Sequence, residues 1–316
     1  MSLLSFLTVN YNMAGVIEQC VSHFESLCLG RYSDFEFLIA DNSTDPAYRI
    51  PTNFESRHPR ARIFSLAPGA PLGGALNILL EAANGDFVSM MHPDIELAPD
   101  TIDRLLRFFD RNPQAGILSP NWYWPSGETH DLSIDACSLS REFFATINAF
   151  SRPIFHRNIC SGYRHWDRTD DTTADFVYSM MVMARKETLR DAGPIHSGLR
   201  AYYANADLCD RARRKGWTCH YVLSARAVHF ERWTAANQCL EMEYKRNDIF
   251  GIPLMRTDRI GYLSCKHSRV ELTLFRILIT LQDIPLLLSL VRNASANKAH
   301  IRAVKSGIAA LWRRPA

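Results

Sequence analysis

The feature that most constrains this chain is an alternation of short apolar runs with helix-patterned segments. Leu3–Val9, Phe35–Ala40, Ala61–Leu66, Phe87–Met91 and Ala115–Ser119 are mostly apolar and too brief for ordinary helices. They read as strands buried on both faces. Between them, Ala14–Leu29 carries Val16, Ile17, Cys20, Val21, Phe24 and Leu27 at helical spacing. Ala75–Ala83 and Thr101–Arg111 read as helices too, the second with Asp100 as its N-cap. Such alternation predicts an α/β chain with a mostly parallel sheet covered by helices on both faces. Polar loops follow most of the strands: Asn10-Tyr11-Asn12, Asp41–Asp45 and Pro68–Gly74. The carboxyl edge of the sheet is therefore the expected ligand edge.

Residues 121–172 differ. They are rich in aromatic and polar residues with weak periodicity, as expected of an irregular insert. It is either a lid near the site or a surface excursion. Beyond it, Phe176–Ala184 reads as a strand, and Lys186–Ala192 and Ala206–Lys215 as helices, the latter stopped by Gly216. Cys219–Leu223 and Ala227–Phe230 read as short strands. After Trp233 the character changes. Val270–Val291 is densely apolar, but Glu271, Arg276, Gln282, Asp283 and Pro285 interrupt it. No run reaches the roughly 18–20 uninterrupted apolar residues expected of a spanning helix. Ala299–Trp312 places Ile301, Val304, Ile308 and Leu311 on one stripe, with Arg302, Lys305, Arg313 and Arg314 elsewhere. Such a helix lies in a membrane interface or packs on the preceding domain with a solvated basic face. The domain division expected is 1–235 and a helical extension, 236–316.

Composition narrows the partners. A net charge of +3 over 316 residues is too weak to argue for nucleic acid. The sign is uneven, however: from Arg292 onward there are six Lys/Arg and no Asp or Glu. That asymmetry points to an anionic surface near the tail. The eight cysteines contain no Cys-x-x-Cys pair, and Cys219-His220 has no second pair at zinc spacing. They read as reduced thiols of a cytoplasmic protein. Met1–Val9 lacks the basic start and small-residue cleavage site of a signal peptide.

Ser89-Met90-Met91-His92-Pro93-Asp94-Ile95-Glu96 is the most chemically suggestive stretch. An apolar strand there ends in a carboxylate. Asp94 is a hard oxygen ligand, suited to Mg²⁺ or Mn²⁺ carrying a diphosphate. By itself the stretch favours a strand-terminal turn with a solvated acid.

Several motifs agree in order and spacing: Phe6–Asn12, Phe37–Asp45, Leu72–Asn77, Gly85–Val88, His92-Pro93-Asp94, Asp207–Trp217 and Ala227-Val228-His229. Over about residues 3–235 the set resembles the family-2 glycosyltransferases of the GT-A fold. Specifically, it resembles the rhamnosyltransferase-like branch that builds bacterial surface polysaccharides. The resemblance implies a GT-A (Rossmann-like) sheet and an inverting, metal-dependent transfer from a dTDP- or UDP-sugar to a glycan or lipid-linked acceptor. It implies that Thr8, Asn10, Tyr11 and Asp41 hold the nucleoside. It also implies that Gly73 lets backbone approach the ligand and that Asn77 faces the sugar-nucleotide. His92-Pro93-Asp94 stands in place of an Asp-x-Asp motif, with Asp94 the main ligand to Mg²⁺ or Mn²⁺ and His92 in place of the first acid. His229 is a second ligand or a phosphate contact. The pattern's Glu-Asp pair, whose Asp is the expected base, is here Ala204-Asn205. Asp207 takes that role, or an acid of the insert does (Asp170, Asp171, Asp175), or the base is lost. The expected location is cytoplasmic, peripheral at the inner face of the membrane. A sugar-nucleotide-binding subunit without catalysis is the alternative.

Overall fold

A computed structural model describes residues 3–32, 34–158, 160, 163–230, 251–291 and 298–313. Its strands are β1 Leu4–Asn10, β2 Phe35–Asp41, β3 Ala61–Ser65, β4 Phe87–Met91, β5 Ile95–Leu97, β6 Ala115–Tyr123, β7 Thr172–Ala174, β8 Met181–Arg185 and β9 Thr218–His229. They form one sheet in the order β3-β2-β1-β4-β8-β6-β9-β5, with β7 paired to β9. β3, β2, β1 and β4 are mutually parallel. β8 runs antiparallel between β4 and β6.

Among the described residues, seven α-helices precede residue 230: α1 Ala14–Cys28, α2 Phe54–Arg57, α3 Leu72–Ala82, α4 Thr101–Arg111, α5 Leu139–Phe155, α6 Lys186–Ala192 and α7 Ala204–Arg214. Three follow the undescribed segment 231–250: α8 Gly251–Ser264, α9 Arg269–Val291 and α10 Lys298–Leu311. The expected boundary at 235 lies outside the described residues. The sheet buries alternate aromatic and aliphatic side chains against α1, where Phe6 stacks on Phe37 at 5.3 Å and meets Phe24 edge-on at 5.0 Å. Such offset and edge contacts add to simple area burial.

Three expectations need correction. Gly73 and Gly74 belong to the first turn of α3, not to a loop. The N–H of Gly73 donates to Leu199 O at 2.9 Å. A Cβ at Gly73 would sit 2.3 Å from His196 O. The missing side chain lets the helix start dock on the 196–199 backbone. The insert is not wholly irregular: α5 occupies seventeen residues of it. Its periodicity misleads because its polarity is inverted. Glu142, Thr146, Asn148 and Ser151 are buried, while Phe143, Phe150, Ile154 and Phe155 are exposed. Finally, α9 is one continuous helix of 23 residues, long and apolar enough to cross a membrane by length and composition. Pro285, which has no N–H to donate, lies within the helix without ending it.

The C-terminal helices are tied to the sheet domain by polar contacts. Asp258 on α8 is buried and accepts from the backbone N–H of Arg200, Ala201 and Tyr202. Arg259 pairs with Glu142 on α5, and Gln282 on α9 donates to the same carboxylate at 2.9 Å.

Candidate metal and nucleotide site

The site forms where β4 ends and β5 begins. β5 runs antiparallel to β9, in a register that sets Ile95 opposite His229. That pairing brings Asp94 and His229 together although they are far apart in sequence. His229 Nε2 lies 3.3 Å from Asp94 Oδ1. The His92 ring stands 5.5 Å from the His229 ring. One ligand atom from each of His92, Asp94 and His229 lies within 4.8 Å of the others.

Electrostatics suit a cation. Burial works to raise the Asp94 pKa, but the hydrogen bond and charge of His229 outweigh it and hold the carboxyl below its ordinary value. Burial pushes His92 down to about 4 despite the nearby Asp94. The site therefore presents a carboxylate beside a neutral His92 imidazole at neutral pH, as metal binding requires. His229 Nδ1 is buried and has no hydrogen-bond partner, a cost that a bound ion or ligand would offset. These residues fit a divalent cation.

Next to the cluster a cleft of about 600 Å³, counting its open mouth, is lined by Val9, Leu72, Met91, His92, Ile195 and Asn205, among others. Asn205 thus stands on the cleft wall, and its side-chain amide donates to Val177 O. Tyr11 is half exposed, at 51%, on the loop after β1, with its ring available to a ligand.

The remaining expected site residues are already engaged. Asn10 donates to Asp41, Ser43 Oγ and Tyr48 O, and accepts from Met13 N. Asp41 is buried and accepts from Asn10, Ser43 N and Ile50 N. Of roughly four lone-pair sites on a carboxylate, one is left. Asp41 thus organises the loop and keeps one acceptor site. Thr8 is buried and its hydroxyl has no partner. Asn77 clamps Ile195, donating to its O and accepting from its N–H, both at 2.8 Å. Its amide thereby ties α3 to the 195 backbone.

Asp207 is likewise engaged in the fold. Its Oδ2 accepts from His196 N and pairs with Arg211, each at 3.0 Å, and it does not line the cleft. Asp207→Asn is expected to lower thermal stability, by about 1–3 kcal/mol for a weakened buried acceptor. Activity per folded molecule should stay near wild type, as thermal melts alongside turnover measurements would show. The acids of the insert are no better placed. Asp171 accepts from Leu223 N, Asp175 pairs with Arg141 and Arg213, and Asp170 is absent from the cleft lining.

His130 is the residue that sequence reasoning missed. Its ring stacks on Trp124 at 3.6 Å and stands 5.8 Å from His229. Its Nε2 is buried without a partner. Burial, then the nearby His229, pushes its pKa down to about 4. The only local signal was the aromatic run Trp122-Tyr123-Trp124.

Residues 5–189 match the model of Glycosyl transferase family 2. The chain is 25% identical over 241 residues to N-acetylglucosaminyl-diphospho-decaprenol L-rhamnosyltransferase of Mycobacterium tuberculosis, covering 72% of this chain and 76% of that protein. It is 26% identical over 146 residues to chondroitin synthase of Pasteurella multocida, covering 42% of this chain and 15% of that one. Among solved structures it resembles mannosyltransferase PcManGT from Pyrobaculum calidifontis in complex with GDP-Man and Mn²⁺. That TM-score is 0.53 at 14% identity, over 98% of this chain and 87% of that one. It also resembles GalNAc-T7 with UDP, GalNAc and Mn²⁺, at TM-score 0.56 and 12% identity, over 74% of this chain and 44% of that one. These likenesses show the GT-A fold. The family match runs from β1 into α6 and takes in Asp94, so the chain belongs to glycosyl transferase family 2.

Proposed function

We propose that the protein is an inverting, metal-dependent glycosyltransferase. It moves a deoxysugar such as rhamnose from a dTDP- or UDP-sugar to a lipid-linked or growing polysaccharide acceptor at the inner face of the cytoplasmic membrane. The observation that carries this reading is the cluster of His92, Asp94 and His229 beside the cleft. Two imidazoles with one carboxylate favour Mn²⁺ over the strictly oxygen-seeking Mg²⁺. Bound there, such a cation would neutralise charge building on the departing diphosphate.

The chain's own residues supply position and dryness. Asn10 and Asp41 hold the loop after β1 in shape, leaving the Tyr11 ring to lie against the nucleoside. Val9, Leu72 and Ile195 keep water from the cleft. Asn205 can accept a hydrogen bond from an acceptor hydroxyl, orienting it without taking its proton. Residues 1–235 form the nucleotide-sugar-binding domain in this reading, and 236–316 the extension that brings it to the membrane.

One observation favours a second reading, a sugar-nucleotide-binding subunit without catalysis. Among the described residues that line the cleft, none is Asp or Glu. Nucleoside diphosphate release by purified protein with Mn²⁺ and each donor separates the two. Wild-type release that EDTA abolishes supports the transferase. Asn205→Asp, which places a carboxylate on the cleft wall, is expected to raise turnover by about 10²–10⁴-fold, the usual worth of a positioned base. Tight donor binding without release in either form would leave the binding subunit standing.

A further inference from the structure

The inverted polarity of α5 and the exposed stripe of α9 form one surface. On α5, Phe143, Phe150, Ile154 and Phe155 face solvent, Ile154 at 69% exposure. On α9, Leu274, Ile277, Ile284 and Leu288 are exposed in turn, Leu288 at 64%. Their spacing of three, seven and four residues keeps them on one helical face. Between the two helices runs an apolar groove lined by Phe143, Ile147, Phe150, Ile154, Leu278 and Leu281. From Val270 to Val291 the stripe extends roughly 30 Å at 1.5 Å per residue. Contiguous apolar surface of this extent on an otherwise polar exterior marks an interaction site.

We propose that this α5–α9 face is a bilayer-docking surface that seats the protein on anionic lipid. The proposal rests on the reading of a membrane-borne acceptor and names the surface that reaches it.

Charge decides the occupant. Arg152 on α5, Arg269 on α9, and Arg302, Lys305 and Arg313 on or beside α10 are all exposed. Of the carboxylates on the same helices, Glu142 and Asp283 are withdrawn, while Glu271, its side chain 44% exposed, is held by local bonds. Glu142 is buried against Arg259, and Asp283 is buried against Arg256. Glu271 is tied to the N–H and hydroxyl of Ser268. A second copy of the chain would set cations against cations, which opposes self-association. Anionic headgroups meet the same charges favourably. Trp312 adds an amphipathic ring, 48% exposed, whose Nε1 donates to Thr280 on α9 at 3.1 Å. Such rings sit at headgroup level. The opposite face of α9 is held to the protein by Asp283–Arg256 and Gln282–Glu142. The helix is therefore placed to lie along a bilayer rather than to cross it.

The test is flotation of the full chain with vesicles of phosphatidylcholine, alone or mixed with phosphatidylglycerol. The wild type should float with the anionic vesicles, less so at high salt. The double substitution Ile154→Glu and Leu288→Glu touches only exposed positions. It should lower partitioning about tenfold or more, with melting temperature and UDP or dTDP binding in solution unchanged. Unchanged nucleotide binding keeps this result separate from the proposed transfer. Equal flotation of wild type and double variant would overturn the docking face. So would a wild-type dimer in sedimentation velocity, split by the same substitutions, with no vesicle binding: the face would then be a seam between copies.

Discussion

Asp94→Ala should abolish Mn²⁺-dependent nucleotide binding in a protein that still folds. Asp94 supplies the only carboxylate of the metal cluster. Its loss leaves two imidazoles, which have no charge to offset a divalent ion. Calorimetry with UDP or dTDP should show affinity in Mn²⁺ weakened by roughly 100-fold, or about 2.8 kcal/mol at 1.4 kcal/mol per decade. Affinity in EDTA should match that of the wild type in EDTA. Folding should suffer little, because the side chain removed is a short one where β4 ends and β5 begins. A variant that keeps the full Mn²⁺ enhancement would place the metal elsewhere and remove the main support for the proposed chemistry.

The largest effect on stability is expected at Arg259. Its guanidinium is buried against the Glu142 carboxylate, which Tyr163 and Gln282 also hold. Arg259→Met would strand a charge in the interior, at a cost of about 3–5 kcal/mol. Glu142→Leu should cost a similar amount for the converse reason. The double variant should recover most of the loss, since a well-packed apolar pair often matches a buried ion pair. Urea unfolding of the four proteins gives the coupling free energy directly. Additive single effects, with no recovery in the double variant, would show that the two groups do not act as a pair. The pair matters to function because it joins α5 of the insert to α8, whose Asp258 holds the 200–202 backbone beside the cleft.

Much of the fold was legible because strand and helix periods are local. β1, β2, β4 and α1 begin and end within about a residue of where apolar runs and polar stops placed them, as element boundaries seldom do. Asp94 was legible for the same reason: a carboxylate just past an apolar strand falls at the ligand edge of an α/β sheet. α5 was not legible. A helix that buries Glu142 and Thr146 while exposing Phe150 and Ile154 inverts the pattern by which amphipathic helices are recognised.

What the sequence alone determined, then, was the alternation of strands and helices and the carboxylate at the end of β4. Tertiary structure decided which side chains were free to act. The antiparallel register of β5 on β9 carried His229 to Asp94. The 196–199 backbone claimed Gly73, Ile195 claimed Asn77, and Arg211 with His196 N claimed Asp207. A residue's type states what it can bond, and periodicity states which way it faces. Its partner is set by chain segments brought close from far away, which no local pattern records.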